Sequence, residues 1–116
     1  MITDAFDKSE VLFGPKDFYG EKKNLCDKCV IIFSEVIFEY MLETYEHEQA
    51  GIIRCCNGVT AVYVFEIDEM KIAGYLSHIG SALAGSDVID ANWLTGADKF
   101  IMFGSAGSLD CNATDG

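Results

Sequence analysis

Residues 99–108 read Lys99-Phe100-Ile101-Met102-Phe103-Gly104-Ser105-Ala106-Gly107-Ser108, an apolar run that passes directly into a glycine-rich turn. A short apolar run without alternation is typical of a strand that is buried on both faces. The turn would place flexible backbone, exposed N–H groups and the Ser105 hydroxyl at the carboxyl end of that strand. Open α/β sheets bind their ligands at this edge. The segment therefore predicts a buried strand with a candidate ligand loop at its end.

A second apolar run, Cys29-Val30-Ile31-Ile32-Phe33, has the same pattern and is rich in β-branched residues. It predicts another strand buried on both faces, and hence parallel strands with helices on each side. Ser34 is suited to cap a following helix. In that helix the residues at apolar helical spacing are Phe33, Ile37, Tyr40, Met41 and Thr44. The first unit of the fold is therefore predicted to be a strand followed by a helix.

The middle of the chain changes to β-branched and aromatic runs between residues 50 and 76. Asn57-Gly58 between two such runs predicts a hairpin, so some strands should be antiparallel. A helical stripe then follows the polar turn at Ser77 and stops at Gly96, a residue suited to a left-handed helix end. The pattern predicts a three-layer α/β/α fold with a mixed central sheet. We expect a single domain over residues 1–116, with residues 1–24 as an arm or edge segment.

The composition excludes several classes of partner. The 116 residues contain 8 Lys plus Arg against 19 Asp plus Glu, which gives a formal net charge of −11 at pH 7. Such a charge repels nucleic acid and anionic membrane surfaces. No apolar run approaches the roughly 20 residues of a spanning helix, and the amino terminus lacks the pattern of a secretory signal. We therefore expect a cytoplasmic protein whose five cysteines are thiols.

Other groups of reactive side chains have simpler structural interpretations. Cys26-Asp27-Lys28-Cys29 has redox or half-zinc spacing, but no second Cys pair accompanies it, and a structural role is favoured. His47 is interpreted as a solvated residue at a helix end. The acidic group of Glu66, Asp68 and Glu69 is more typical of a solvated loop than of a cation site. We therefore predict no metal site.

Linked elements from about residue 71 onward resemble the nucleoside phosphorylase superfamily. They are Ser77-His78-Ile79-Gly80, then Leu94-Thr95-Gly96-Ala97, then Lys99-Phe100-Ile101-Met102-Phe103-Gly104-Ser105-Ala106-Gly107-Ser108-Leu109. The superfamily pattern is a strand, a glycine turn, a helix ending in a Leu-Gly-Ala element, and a strand that ends in Gly-(Ser/Thr)-x-Gly. Phe13-Gly14-Pro15-Lys16-Asp17 and Ile32-Phe33-Ser34 are similar to a uridine phosphorylase-like subgroup.

The resemblance implies cleavage of the N-glycosidic bond of a nucleoside, with uridine or another pyrimidine nucleoside favoured and phosphate as co-substrate. No other cofactor is implied. Ser105 would contact phosphate through its hydroxyl and N–H, with Gly104 beside it, as a positioning residue and not a nucleophile. Ala106 and Gly107 would line the nucleobase pocket. The residues expected to line the same crevice are Ser77, His78, Ile79 and Gly80.

Many members of the superfamily have a phosphate-binding arginine two residues before the Gly-Ser/Thr turn, and this position is Met102 here. Arg54 is therefore a candidate phosphate partner, with Lys16 or a residue of a neighbouring subunit as the alternatives. The resemblance covers the amino-terminal half of the longer family enzymes, so we expect a truncated chain. Its catalytic acid and ribose-binding residues would lie beyond Gly116, which would leave these 116 residues inactive alone.

Two other functions fit the same residues. A nucleosidase that uses water would need no phosphate clamp, in keeping with Met102 at the arginine position. A non-catalytic module for nucleoside binding or oligomerisation would need no carboxyl-terminal half. Apolar surface exposed on half of a fold would also favour association. We therefore expect a homo-oligomer that binds a nucleoside and phosphate, and neither nucleic acid nor membrane.

Overall fold

The computed structural model describes residues 9–112. Its elements, in chain order, are α1 (Pro15–Tyr19), β1 (Lys28–Ile32), α2 (Glu35–Thr44), β2 (Glu46–Cys55), β3 (Gly58–Ile67), β4 (Met70–Leu76), α3 (Ser81–Thr95) and β5 (Lys99–Phe103). None of the helices in this part of the chain is long and apolar enough to span a membrane. Residues 1–8 of the predicted arm lie outside the described residues.

The five strands form one mixed sheet in the order β2-β3-β4-β1-β5. β1 is parallel to β4 and to β5, whereas β2, β3 and β4 form an antiparallel meander. The prediction of a mixed sheet is therefore confirmed. The carboxyl ends of β1, β4 and β5 meet at one edge of the sheet. β2 runs in the same direction as β4, so its last residue, Cys55, lies at this edge too. We call this edge of the sheet, where β1, β2, β4 and β5 end, the carboxyl edge.

Two tight turns join the strands of the meander. Cys55 pairs with Gly58 across the first turn, which confirms the predicted hairpin at Asn57-Gly58. The second turn, between β3 and β4, consists of Asp68 and Glu69, both with positive φ. Both side chains are exposed, in keeping with the interpretation of this acidic group as a solvated loop. A two-residue turn with positive φ at both positions matches the right-handed twist of the flanking strands.

The two longer helices cover opposite faces of the sheet. Leu94 of α3 belongs to the main core cluster, together with Val62 of β3. The ring of Phe38, in α2, lies 5.9 Å from that of Tyr63. Val62 and Tyr63 are consecutive residues of β3 and therefore point to opposite faces of the sheet. Ser34 accepts a hydrogen bond from the N–H of Ile37 at 3.4 Å, which confirms the predicted helix cap. The arrangement has three layers, α/β/α.

β5 departs from the prediction of a buried strand. Ile101, Met102 and Phe103 are 68%, 59% and 59% exposed. The physical reason is that β5 is an edge strand, paired with β1 alone, on which neither α2 nor α3 packs extensively. α2 is likewise less buried than its apolar stripe predicts, since Tyr40 is 60% exposed and no residue of the helix is fully buried. This end of the sheet therefore carries exposed apolar surface on both faces.

The position of His47 differs from its sequence-based interpretation. α2 ends at Thr44, so His47 lies in β2 and not at a helix end. Its ring contacts that of Tyr63 edge-on, with centroids 5.3 Å apart.

The described part of the predicted arm or edge segment contacts α3. The Tyr19 hydroxyl donates to Asp90, in α3, at 3.1 Å. Trp93 also donates its indole N–H to the carbonyl of Gly20, at 2.8 Å.

Replacing Gly96 by alanine should lower the free energy of unfolding by about 2 kcal/mol. Gly96 ends α3 in the left-handed region, at φ +84°, where a Cβ costs roughly 1–2 kcal/mol. A Cβ there would also lie 2.8 Å from the carbonyl oxygen of Lys23. Gly85→Ala is the matched control, because Gly85 lies inside α3 with open space around it. Urea titration should show Gly85→Ala stabilised by roughly 0.5–1 kcal/mol; equal effects of the two changes would contradict this account.

Candidate functional site

A cavity of about 280 Å³ lies at the carboxyl edge, between the ends of β1 and β5. These two strands are parallel neighbours, and their last residues, Ile32 and Phe103, pair with each other. The chain leaves β1 into the cap of α2 and leaves β5 into the glycine-rich turn. The lining residues are Phe33, Ser34, Ile37, Phe103, Gly104 and Ser105. The cavity is therefore built by two loops that follow adjacent parallel strands.

The polar groups of this cavity are hydroxyls and backbone amides. The Ser34 oxygen already accepts from the N–H of Ile37, so it serves the helix as well as facing the cavity. Ser105 contributes a second hydroxyl from an exposed position. A Cβ on Gly104 would lie 3.4 Å from the ring of Phe33, so glycine leaves room for that ring. None of the residues of 9–112 that line the cavity is charged.

The structure brings together only part of the predicted site. Gly104 and Ser105 line the cavity, whereas Ala106 and Gly107 are exposed beside it. Arg54 lies on β2, four strand spacings from β5, or about 19 Å. An arginine side chain of the same chain does not span that distance. The candidate phosphate partner is thus not assembled with Ser105 within one chain.

The turn after β4 adjoins the cavity without lining it. The N–H of Ser77 donates to the carbonyl of Ile32, the last residue of β1, at 2.8 Å. The Ser77 hydroxyl donates to the carbonyl of His78 at 2.9 Å, which fixes the turn locally. Ile79 and Gly80 follow as exposed residues before α3 begins. The predicted crevice residues therefore lie at the same edge, between the end of β4 and the start of α3, and outside the lining of this cavity.

A second group of side chains at the carboxyl edge centres on His78. Its ring Nδ1 lies 2.9 Å and 3.1 Å from the two carboxylate oxygens of Asp87, in α3. The backbone N–H of His78 also donates to Asp87, at 3.0 Å. The other ring nitrogen, Nε2, lies 3.5 Å from the Sγ of Cys55 at the end of β2. Cys55, His78 and Asp87 are thus connected in series.

Two members of this series, Cys55 and Asp87, were not identified from the sequence. Asp87 is 1% exposed and lies on the buried side of α3 with Ala84, Ala91 and Leu94. An aspartate within the apolar stripe of a helix was the available signal, because a buried carboxylate requires a partner. Cys55 carried no such signal, since its contact with His78 depends on the pairing of three strands.

Cys29 is buried in the core and Cys26 is partly buried beside it. Cys29 is 1% exposed, and burial raises the pKa of its thiol to about 12. Burial also raises the pKa of the Cys26 thiol. Neutral buried thiols are poor nucleophiles and poor metal ligands. Over residues 9–112, no group of three or more His, Cys, Asp or Glu side chains has the geometry to hold a metal ion.

A larger cavity, of about 640 Å³, lies at the opposite edge, where β2 begins and β3 ends. Four glutamates contribute to its lining, against the single lysine Lys71; they are Glu43, Glu46, Glu48 and Glu66. An acidic lining does not suit an anionic ligand such as phosphate. The smaller cavity at the carboxyl edge is therefore the better candidate for the predicted chemistry, despite its size.

Comparison with known proteins adds no relative to these observations. No protein-family model, no curated protein and no solved structure matches the chain.

Proposed function

We propose that the protein acts as a nucleoside phosphorylase-like pentosyltransferase, which cleaves the N-glycosidic bond of a nucleoside with phosphate. The observation that carries the proposal is the position of Gly104 and Ser105. Both line a cavity at the carboxyl ends of two adjacent parallel strands, the edge at which α/β sheets bind ligands. Uridine or another pyrimidine nucleoside is the favoured substrate, on the resemblance of the sequence to the uridine phosphorylase-like subgroup.

In this reaction a phosphate oxygen forms a bond to the anomeric carbon of the ribose as the bond from that carbon to the base breaks. The base leaves with the electron pair and takes up a proton, and the other product is ribose 1-phosphate. Ser105 would hold phosphate through its hydroxyl and backbone N–H. Positioning and charge stabilisation supply most of the acceleration in such transfers.

A nucleosidase is the second candidate, and the absence of charge around the cavity favours it. The described lining contains hydroxyls, aromatic rings and an isoleucine, but no Lys or Arg. A phosphate dianion placed there would depend on neutral donors alone or on a cation from elsewhere. Water needs no such partner, so the same site suits hydrolysis of the glycosidic bond.

The exposed apolar residues of β5 support the proposal of a homo-oligomer. Ile101 and Phe103 point to one face of the sheet and Met102 to the other, and all three are more than half exposed. Burial of such a strand edge against a second copy would remove apolar surface from water. A second copy could also place a cation near Ser105.

In the longer protein to which we expect these residues to belong, Ser105→Ala should weaken the use of phosphate at least about tenfold, measured as the phosphate concentration for half-maximal release of ribose 1-phosphate from uridine. The loss of one hydrogen bond to a charged group accounts for this magnitude. Ser108→Ala is the matched control, since Ser108 lies in the same loop and its hydroxyl donates to the carbonyl of Asp110 at 2.8 Å.

The outcomes separate the candidates. If uridine or inosine is cleaved equally well without phosphate, the protein is a nucleosidase and the phosphorylase proposal is wrong. Thermal stabilisation of that longer protein by uridine, without turnover, would leave a binding module. Phosphate-dependent cleavage that Ser105→Ala leaves unchanged would overturn the role of Ser105.

A further inference from the structure

The series of Cys55, His78 and Asp87 has the arrangement of an activated thiol. Each link joins a different element: β2 supplies the thiol, the turn after β4 supplies the imidazole, and α3 supplies the carboxylate. The three residues lie 9 and 23 positions apart in the chain, so local structure does not bring them together. They are also separate from the cavity that contains Ser105.

The Asp87 carboxylate determines which nitrogen of His78 faces the thiol as an acceptor. It is 2% exposed as a side chain and contacts both Nδ1 and the backbone N–H of His78. A carboxylate accepts hydrogen bonds, so the proton of the neutral ring lies on Nδ1. The lone pair of Nε2 is then directed at the Sγ of Cys55, 3.5 Å away. His78 is held in this orientation because its backbone N–H and its ring both contact the Asp87 carboxylate.

Cys55 lies at the carboxyl edge and is not buried in the core. Cys55 is the last residue of β2 and is partly exposed, as is His78. This exposure distinguishes it from Cys29, which is buried in the core. It is also distinct from Cys56 and Cys111, which are exposed but have no imidazole partner among the contacts of residues 9–112.

We propose that Cys55 is a site of thiol–disulfide exchange with small disulfides, with His78 as the proton acceptor and donor and Asp87 as its positioning residue. The proton of the Cys55 thiol passes to Nε2 of His78, and the thiolate attacks one sulfur of the disulfide. A new S–S bond forms at Cys55 as the old one breaks, and the leaving thiolate takes the proton from His78. The products are a mixed disulfide at Cys55 and one free thiol, so the external disulfide is the oxidant.

This inference is independent of the proposed function, because it uses neither Ser105 nor a nucleoside. The mixed disulfide would add a bulky group at the carboxyl edge, next to the turn that begins with Ser77. Ser77 is bonded to the end of β1, so modification of Cys55 would change the surroundings of that edge.

The test is the rate of reaction with glutathione disulfide at pH 7, followed by mass spectrometry of the intact protein. Cys55→Ser and Cys56→Ser form a matched pair, since the two residues are adjacent in the chain. We expect Cys56→Ser to keep the fast phase of modification and Cys55→Ser to lose it. Cys55 should react at least about tenfold faster than Cys56. This difference is smaller than the roughly 100-fold acceleration that a positioned proton acceptor can contribute.

His78→Gln in the Cys56→Ser background tests the mechanism. We expect at least about a tenfold slower reaction at pH 7, and a near-normal rate at pH 10, where an ordinary thiol with a pKa of about 8.5 is ionised without a base. A reaction that is equally slow at both pH values would mean that the change merely blocks access, and would overturn the role of His78. Cys55 reacting no faster than Cys56 would overturn the site itself, and this comparison does not require the His78 variant to fold.

Discussion

Asp87→Ala is expected to lower the free energy of unfolding by about 3 kcal/mol, in urea titration at pH 7. The carboxylate is almost wholly buried and accepts hydrogen bonds from both the backbone N–H and the ring of His78. Removal of the carboxylate leaves two donors of His78 without an acceptor, the backbone N–H and the ring N–H, which together typically cost about 2–6 kcal/mol. His78 retains some access to water, so the lower end of that range applies.

Asp87→Asn and Asp98→Ala complete the comparison. The amide of Asn retains the volume and one acceptor, so its loss should be smaller than that of Asp87→Ala. Asp98 is an exposed aspartate that pairs with Lys99 at 3.4 Å, and such surface pairs contribute about 0–1 kcal/mol. Asp98→Ala should therefore change the stability little. An Asp87→Ala protein within 1 kcal/mol of the parent would contradict the structural role of the His78–Asp87 pair.

The parts of the fold that the sequence predicted correctly depend on local signals. Ser34 at a helix start, Asn57-Gly58 between strands and Gly96 at a helix end each specify backbone geometry within a few residues. Pairing of β5 with β1 is different in kind. The run at 99–103 has the composition of a buried strand, yet burial depends on what covers the strand, which no local pattern encodes. Ile101 and Met102 are exposed because neither α2 nor α3 packs extensively on β5, the edge strand.

The candidate sites show the same division. Gly104 and Ser105 could be found because they directly follow a strand, and the end of a parallel strand is a position that sequence reasoning can locate. Arg54 was chosen for its charge, and the order of strands places it at the far side of the sheet from Ser105. The link between Cys55 and His78 required the registers of β2, β3 and β4 at once. Asp87 alone gave an indication, as a carboxylate on the apolar side of α3.

The second large effect concerns alkaline pH, and it arises from Cys29. Burial raises the pKa of this thiol from about 9 to about 12. An acid whose pKa is higher in the folded protein loses its proton first in the unfolded chain as pH rises. The unfolded state is thereby favoured, and the free energy of unfolding falls between pH 9 and pH 12. Since one pKa unit corresponds to about 1.4 kcal/mol, Cys29 alone accounts for up to about 4 kcal/mol.

Two tyrosines act in the same direction at slightly higher pH. Burial, with a contribution from Asp90, raises the pKa of Tyr19 to about 12. Burial also raises the pKa of Tyr75, whose hydroxyl has no hydrogen-bond partner within the described part of the chain. Both phenols should therefore remain neutral in the fold above pH 10, which steepens the loss of stability there. Below pH 9 none of these three groups contributes to the pH dependence.

Urea titrations from pH 8 to pH 12, with a reductant present, separate the thiol from the phenols. Cys29→Ala removes the buried sulfur and should cost about 1 kcal/mol at pH 8. Its stability should then fall less steeply than that of the parent up to pH 10, because, of the described thiols and phenols with a raised pKa, only the partly buried Cys26 and the two tyrosines still respond there. Cys56→Ala, at an exposed cysteine, should follow the parent at every pH. If Cys29→Ala declines as steeply as the parent between pH 9 and pH 10, the buried thiol does not control this range. A flatter profile would identify ionisation of the Cys29 thiol in the unfolded chain as a main cause of the loss of stability above pH 9.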